Sequence, residues 1–155
     1  MSEIQIPAFR GRRGYLSNMY EAPITLIIDD TTPISFTCAE SAFQAIKFPS
    51  HMSRFTNLSG VEAKRLAKTL TLRSDWDDVK IPAMCLVLKA KFTQNPHLAE
   101  KLKKETDEDL IEYNNWGDTY WGVCNGVGTN MLGLILRQLR DELLSDNINC
   151  STLLS

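Results

Sequence analysis

Glu40, Gln44 and Lys47 stand four and three residues apart in the run Thr37-Cys38-Ala39-Glu40-Ser41-Ala42-Phe43-Gln44-Ala45-Ile46-Lys47-Phe48. On a helix beginning near Thr37 or Cys38, that spacing sets a carboxylate, an amide and an ammonium in one row. Ala39, Phe43 and Ile46 form the adjacent row, which is apolar. The polar row therefore lies beside the buried stripe and not opposite it. A carboxylate at the margin of a core is partly shielded from water, and shielding is how proteins tune acids and bases. The same glutamate also has an ordinary explanation. Thr37-x-x-Glu40 fits a capping box, with the threonine as N-cap and the glutamate reaching back to its amide.

A second group of residues bears on chemistry. Asn115-Trp116-Gly117-Asp118-Thr119-Tyr120-Trp121-Gly122 combines large aromatics, two glycines and a carboxylate, a composition that helix periodicity does not explain. Its tryptophans either anchor the loop in the core or form a flat surface on which a ring stacks, and Trp76 carries the same two readings. Gly126-Val127-Gly128-Thr129-Asn130 places two glycines before a helix. The free amides of a helix start can take a phosphate, or the segment is a flexible turn with Thr129 as its cap. Arg10, Arg12 and Arg13 form either a second anion site or a solvated basic loop. His51 and His97 have no neighbouring acids that would make a Ser-His-Asp arrangement, and no Cys-x-x-Cys spacing suggests a metal site. Acids stabilise an oxocarbenium-like sugar, aromatics hold a base and anion sites hold phosphate, so this inventory suits cleavage of a ribose–base bond without metal or cofactor.

These residues need elements to position them. Pro7 to Tyr20 reads mainly as loop. Ile24–Ile28 is a β-branched strand, Asp29-Asp30-Thr31-Thr32-Pro33 is turn chemistry, and Ile34–Thr37 returns as a hairpin partner. The helix bearing Glu40 follows and stops at Pro49. Met52 to Leu58 reads as a short helix. Gly60 to Leu70 is a clearer one, with Val61, Ala63, Leu66, Ala67 and Leu70 on its apolar side. Thr71 to Trp76 reads as a loop. Val79 to about Phe92 reads as a long helix, with Ile81, Met84, Cys85, Leu88 and Phe92 at core spacing and Pro82 near its start. A helix opened by Asn95-Pro96 runs to about Thr106, with Leu98 and Leu102 inward. Asp109–Tyr113 is a short strand candidate, Asn114 to Gly128 a long loop, and Asn130 to about Leu144 the last helix, with Met131, Leu132, Ile135, Leu136 and Leu139 inward. The tail from Ser145 is polar and is expected to be loose. The pattern predicts a single, mainly helical α+β domain with a small β-sheet, its core spanning about 9–144.

Bulk properties narrow the classes. With 155 residues, 43% of them hydrophobic, the chain has the size and composition of one globular domain. Its net charge of −2 gives no global attraction to nucleic acid or acidic lipid. No apolar run approaches membrane-spanning length, and Met1-Ser2-Glu3-Ile4-Gln5 lacks the basic and apolar segments of a signal peptide. Cytoplasmic residence with free thiols at Cys38, Cys85, Cys124 and Cys150 is the expectation.

The motifs together resemble the YbiA-like (NADAR) family. The resemblance rests on Leu16-Ser17-Asn18, on Ala39-Glu40 followed by Phe43-Gln44-Ala45 and Lys47-Phe48, and on Lys91-Phe92 with Gln94-Asn95-Pro96. It also rests on Asp118-x-x-Trp121-Gly122 and on Gly128-x-Asn130-x-Leu132-Gly133. The match runs in order over roughly Phe9 to Leu144. Ser41 stands where the family usually has histidine. The resemblance implies the family's α+β fold and an N-glycosidase. Members cleave phosphorylated ribosylamino-pyrimidine intermediates of riboflavin synthesis, or remove ADP-ribose from modified guanine in nucleic acid. It implies Glu40 as the principal catalytic carboxylate, with Asp118, Trp76 and Trp121 in the pocket and Lys47, Asn18 and Asn130 as polar pocket residues. Gln44 is expected to bind substrate beside them, Asp118 or Lys47 to assist departure of the base, and Gly128–Asn130 with Arg10 to hold phosphate. The rival expectation is a module that binds ADP-ribose or a nucleotide without cleaving it.

Overall fold

The computed structural model describes residues 9–28 and 32–145. Helices and two short two-stranded sheets make an α+β fold. The described residues form two compact units, one of residues 9–17 and 97–145, the other of 18–28 and 32–96. No helix among them is long and apolar enough to cross a membrane.

The unit of residues 18–96 begins with strands β1, Glu21–Ile27, and β2, Pro33–Cys38, paired antiparallel with Thr25 opposite Ser35. Ala22, Ile24 and Leu26 are buried and their neighbours in β1 exposed, the period-2 pattern of a half-buried strand. The predicted hairpin is present, with β1 starting three residues earlier than expected. The expected turn at Asp29-Asp30-Thr31 lies outside the described residues. The outer edge of β1 is closed by side chains. Gln94 accepts from the Thr25 N–H at 2.8 Å and donates to the Thr25 carbonyl at 2.9 Å, while Asn95 donates to the Pro23 carbonyl at 3.2 Å. A primary amide thus does at Thr25 what a third strand's backbone would do.

Helix α1, Ala39–Ile46, is buried along its whole length. It ends short of Pro49, which opens a 3-10 helix, Pro49–Phe55, in place of the helix expected at Met52 to Leu58. Helix α2, Gly60–Ala67, carries the capping box that the reading of Thr37 anticipated elsewhere: Ser59 accepts from the Glu62 amide, and Glu62 reaches back to the Ser59 amide. Val61, expected inward, is exposed.

Helix α3 spans Trp76–Gln94, so Trp76 is its first residue and not part of a loop. Pro82 consequently lies inside the helix instead of near its start, and Ile81 is exposed. Met84, Cys85, Leu88 and Phe92 are buried as expected. Lys91 is wholly buried with them. Its ammonium lies 5.8 Å from the centre of the Tyr20 ring and 5.3 Å from that of Phe92.

The other unit contains a 3-10 helix, Gly11–Leu16, where a loop was expected. Helix α4, Pro96–Leu102, buries Leu98, Ala99 and Leu102 but stops short of the expected Thr106. Of the strand expected at Asp109–Tyr113, only Tyr113 is extended. With Asn114 it forms β3, Tyr113–Asn114, which pairs in parallel with β4, Val123–Cys124. Helix α5, Met131–Leu144, buries Leu132, Ile135, Leu136, Leu139 and Leu143. The tail beyond Ser145, with Cys150, lies outside the described residues.

Burial lowers the Lys91 pKa from 10.5 to about 7, opposed by the nearby Cys38 thiol. The folded chain then binds fewer protons than the unfolded chain between those values. The contribution of Lys91 to stability is therefore lowest at and below pH 7 and rises as the pH climbs toward 10.5. Replacing Lys91 by Met removes that dependence, which is on the order of 5 kcal/mol at full shift. The variant's stability relative to wild type should therefore be greater at pH 6 than at pH 10 in urea unfolding. A difference that does not change with pH would exclude a depressed Lys91.

Candidate active site

Helix α1 and its C-cap residue supply Glu40, Gln44 and Lys47, and the way the helix starts explains the state of Glu40. Its N-cap is Cys38, whose side chain makes no capping bond. The Glu40 amide is satisfied by the carbonyl of Asn18 at 2.9 Å. Thr37 donates its hydroxyl to the Leu58 carbonyl at 2.6 Å. The capping box proposed for Thr37 and Glu40 is therefore absent, and the glutamate side chain is free of that duty. Ser41, at the position where histidine was expected, donates to the Cys38 carbonyl at 3.0 Å and so turns back onto the start of its own helix.

Glu40 and Gln44 are 7% and 6% exposed, and the Gln44 amide donates to Glu40 Oε1 at 2.7 Å. Gly60, the first residue of α2, packs over this carboxylate's stem. A Cβ there would strike Met19 Sδ and come within 3.2 Å of Glu40 Cβ. Lys47 follows at the end of the row, with its ammonium 5.4 Å from the ring centres of both Phe43 and Trp76. Those two rings meet edge to face at 5.2 Å. Burial lowers the Lys47 pKa, Glu40 pulls it back up, and the Lys64 ammonium on α2 lowers it further. Desolvation is the largest of the three, so the ammonium gives up its proton more readily than a surface lysine.

Trp76 is brought here by a device that the sequence reading missed. Arg73 donates its backbone N–H to the Lys47 carbonyl and its guanidinium to the Ile46 carbonyl, closing the C-terminus of α1. Asp75 holds the guanidinium in a two-point ion pair at 2.6 and 3.0 Å. The next residue begins α3 and carries the indole. Arg-x-Asp just before a helix was the available signal. Asn18 completes the group: its amide nitrogen donates to Met84 Sδ at 3.4 Å, while its buried carboxamide oxygen has no partner among the described residues.

The expected residues of the other unit have different occupations. One oxygen of Asp118 accepts from the amides of Tyr120 and Trp121 at 3.1 and 2.9 Å, so this carboxylate shapes its own loop. Trp121 is half-buried, edge to face with Tyr120 at 4.8 Å, and Trp116 is exposed. Asn130 is buried: its oxygen accepts from the Glu112 amide at 3.0 Å, and its nitrogen donates to the Leu110 carbonyl at 3.1 Å. It caps α5 in a left-handed conformation without a side-chain capping bond, and Thr129 is not the cap.

The phosphate site expected at this helix start is not open. The amides of Asn130, Met131 and Leu132 donate to the carbonyls of Gly122, Tyr120 and Trp121. Gly128 serves close packing, since a Cβ there would strike the Gly122 carbonyl at a φ of +156°. Of the arginine cluster, Arg13 is paired with Glu105 and Asp109 at 2.8 and 3.0 Å, while Arg10 and Arg12 are exposed.

The arrangement thus sets a buried, amide-held carboxylate on α1 and, at the cap of the same helix, a desolvated lysine against an indole, two groups whose chemistry is proton transfer. The NADAR domain model matches residues 8–144 of the chain. The chain therefore belongs to the NADAR family. It is 32% identical over 137 residues to N-glycosidase YbiA of Escherichia coli (strain K12), covering 84% of this chain and 81% of that one. It is 33% identical over 139 residues to the riboflavin biosynthesis protein VVA0006 of Vibrio vulnificus (strain YJ016), covering 84% of this chain but only 35% of that protein. To the chloroplastic riboflavin biosynthesis protein PYRR of Arabidopsis thaliana it is 42% identical over 77 residues, 49% of this chain and 13% of that one. The NMR structure of the E. coli protein YbiA superposes with a TM-score of 0.71 at 28% identity, covering 88% of this chain and 81% of that one.

The bonds of Asn130 make it a structural clamp. Asn130→Ala removes the bonds to the part-buried Glu112 amide and to the buried Leu110 carbonyl and should cost about 2 kcal/mol in denaturant unfolding. Asn130→Gly, which tolerates the left-handed backbone, should lose nearly as much because the same two bonds go. Unchanged stability in both variants would contradict this role.

Proposed function

We propose that this chain is an N-glycosidase. It hydrolyses the ribose–base bond of an ADP-ribosylated guanine or of a phosphorylated ribosylamino-pyrimidine intermediate of riboflavin synthesis. The observation that carries the proposal is the Glu40 carboxylate, buried in α1, held by Gln44 and followed on the same helix by Lys47 and its aromatic wall. Relatives named N-glycosidase and riboflavin biosynthesis protein support the reaction class.

In this mechanism the leaving base lies against Trp76. The bond from the anomeric carbon to the base nitrogen breaks with its electron pair passing to nitrogen, and positive charge develops on the sugar. Glu40 opposes that charge and takes a proton from the attacking water, whose oxygen bonds to the anomeric carbon. Lys47, with its pKa lowered by burial, delivers a proton to the departing nitrogen. The Asn18 oxygen is an unused acceptor for a hydroxyl or amine of the substrate. Lys64, near enough to lower the Lys47 pKa, is a further cation for a substrate phosphate. Asp118 is given no chemical step, because its carboxylate is engaged with loop amides.

Both substrates, incubated with the protein and resolved by mass, test the proposal. Glu40→Gln and Glu40→Ala should each slow base release about a thousandfold. Near wild-type turnover in both would remove Glu40 from the mechanism, and intact ligand recovered from wild type would mark a binding module.

Lys47 gives an independent measurement. Its lowered pKa means that the donor form is lost below the ordinary lysine value of 10.5. The rate should fall on an alkaline limb below that value, and Lys47→Met should be slow with that limb gone. A limb that survives the substitution would assign the proton to another group.

A further inference from the structure

We infer that Gln44 is a positioning residue for Glu40, holding one carboxylate oxygen so that the other alone addresses the sugar and the water. The inference rests on the reading of Glu40 as the reacting carboxylate and deepens it. The terminal torsion of a glutamate is broad, so a carboxylate without a restraint samples many planes. Here the plane is set by a 2.7 Å bond from the Gln44 amide nitrogen to Oε1, between side chains one helical turn apart on a wholly buried helix. Gly60 restricts the stem from above. With Oε1 occupied by an N–H, Oε2 is the oxygen on which a proton from water is received. A Gln44 that bound substrate through the same N–H would have to release Glu40, so the positioning role replaces the expected binding role.

The charged groups linked electrostatically to Glu40 are Lys47, just past the end of α1, and through it Lys64 on α2. Both remain in the variants, so a changed profile reports Gln44 itself. Base release from both proposed substrates is measured against pH for Gln44→Met and Gln44→Glu. Gln44→Met fills the space without a donor. It should lower kcat about a hundredfold with KM little changed, the effect of a reacting group that has lost its orientation. Gln44→Glu keeps length and volume but sets a second carboxylate at hydrogen-bond distance. The two would share a proton, so the acid limb of kcat should move up by at least about one pH unit.

Wild-type kcat and pH profile in both variants would overturn the positioning role. So would a raised KM at unchanged kcat, which would mark Gln44 as a substrate contact. If Gln44→Met does not fold, Gln44→Glu decides alone. Glu40→Gln, run alongside, separates the two levels: turnover retained there sinks the mechanism itself, whereas failure of the Gln44 variants alone sinks only this inference.

Discussion

The geometry of the site depends on one constraint: α1 is buried from end to end, yet it contains a glutamate. A carboxylate withdrawn from water needs polar partners inside the protein. Gln44 meets part of that need, and Asn18 frees the side chain to be met there. The carbonyl of Asn18 takes the Glu40 amide, so the side chain has no capping to do, and Gln44 engages only one of its oxygens. Lys47, two turns along, lies close enough for the Glu40 carboxylate to pull its pKa back up against burial. The start of α2 at Gly60 and the loop before α3 at Arg73 pack against and cap this arrangement.

How much of this could be read in the chain follows from the range of the interactions. The row Glu40, Gln44, Lys47 was legible because helix spacing is local. The hairpin, the α+β class and most inward residues of α3 and α5 were legible for the same reason. The choice between a capping box at Thr37 and a free Glu40 was not legible, because the competitor is distant in sequence: Asn18 lies 22 residues before Glu40, and no local pattern reports that contact. Ser59-x-x-Glu62, the same signature, was overlooked although it is the one that forms. Trp76 was placed in a loop because Asp77, Asp78 and Pro82 hide the first turns of α3 from hydrophobic periodicity.

The glycine-rich stretch before α5 illustrates a different limit. Glycines ahead of a helix signal that backbone must approach something closely, but not what. Here the partner is the chain's own loop, whose successive carbonyls at 120–122 meet the donors that a phosphate would use. Asn130 is illegible for a related reason: an amide that bonds to the substrate and one that ties two stretches of backbone together are the same residue in the sequence. Only the coordinates separate a binding motif from a packing motif built of identical letters.

The edge of the hairpin has a chemical consequence of its own. Gln94 meets both backbone groups of Thr25 only because a carboxamide offers an acceptor and a donor side by side. Hydrolytic deamidation with age would turn that donor into an acidic oxygen, setting like partial charges against each other at the Thr25 carbonyl. The strand's fastening to the end of α3 is thereby tied to the chemical lifetime of one side chain, and spontaneous wear at that residue would unlatch the margin of the sheet while leaving the remote carboxylate of α1 chemically intact.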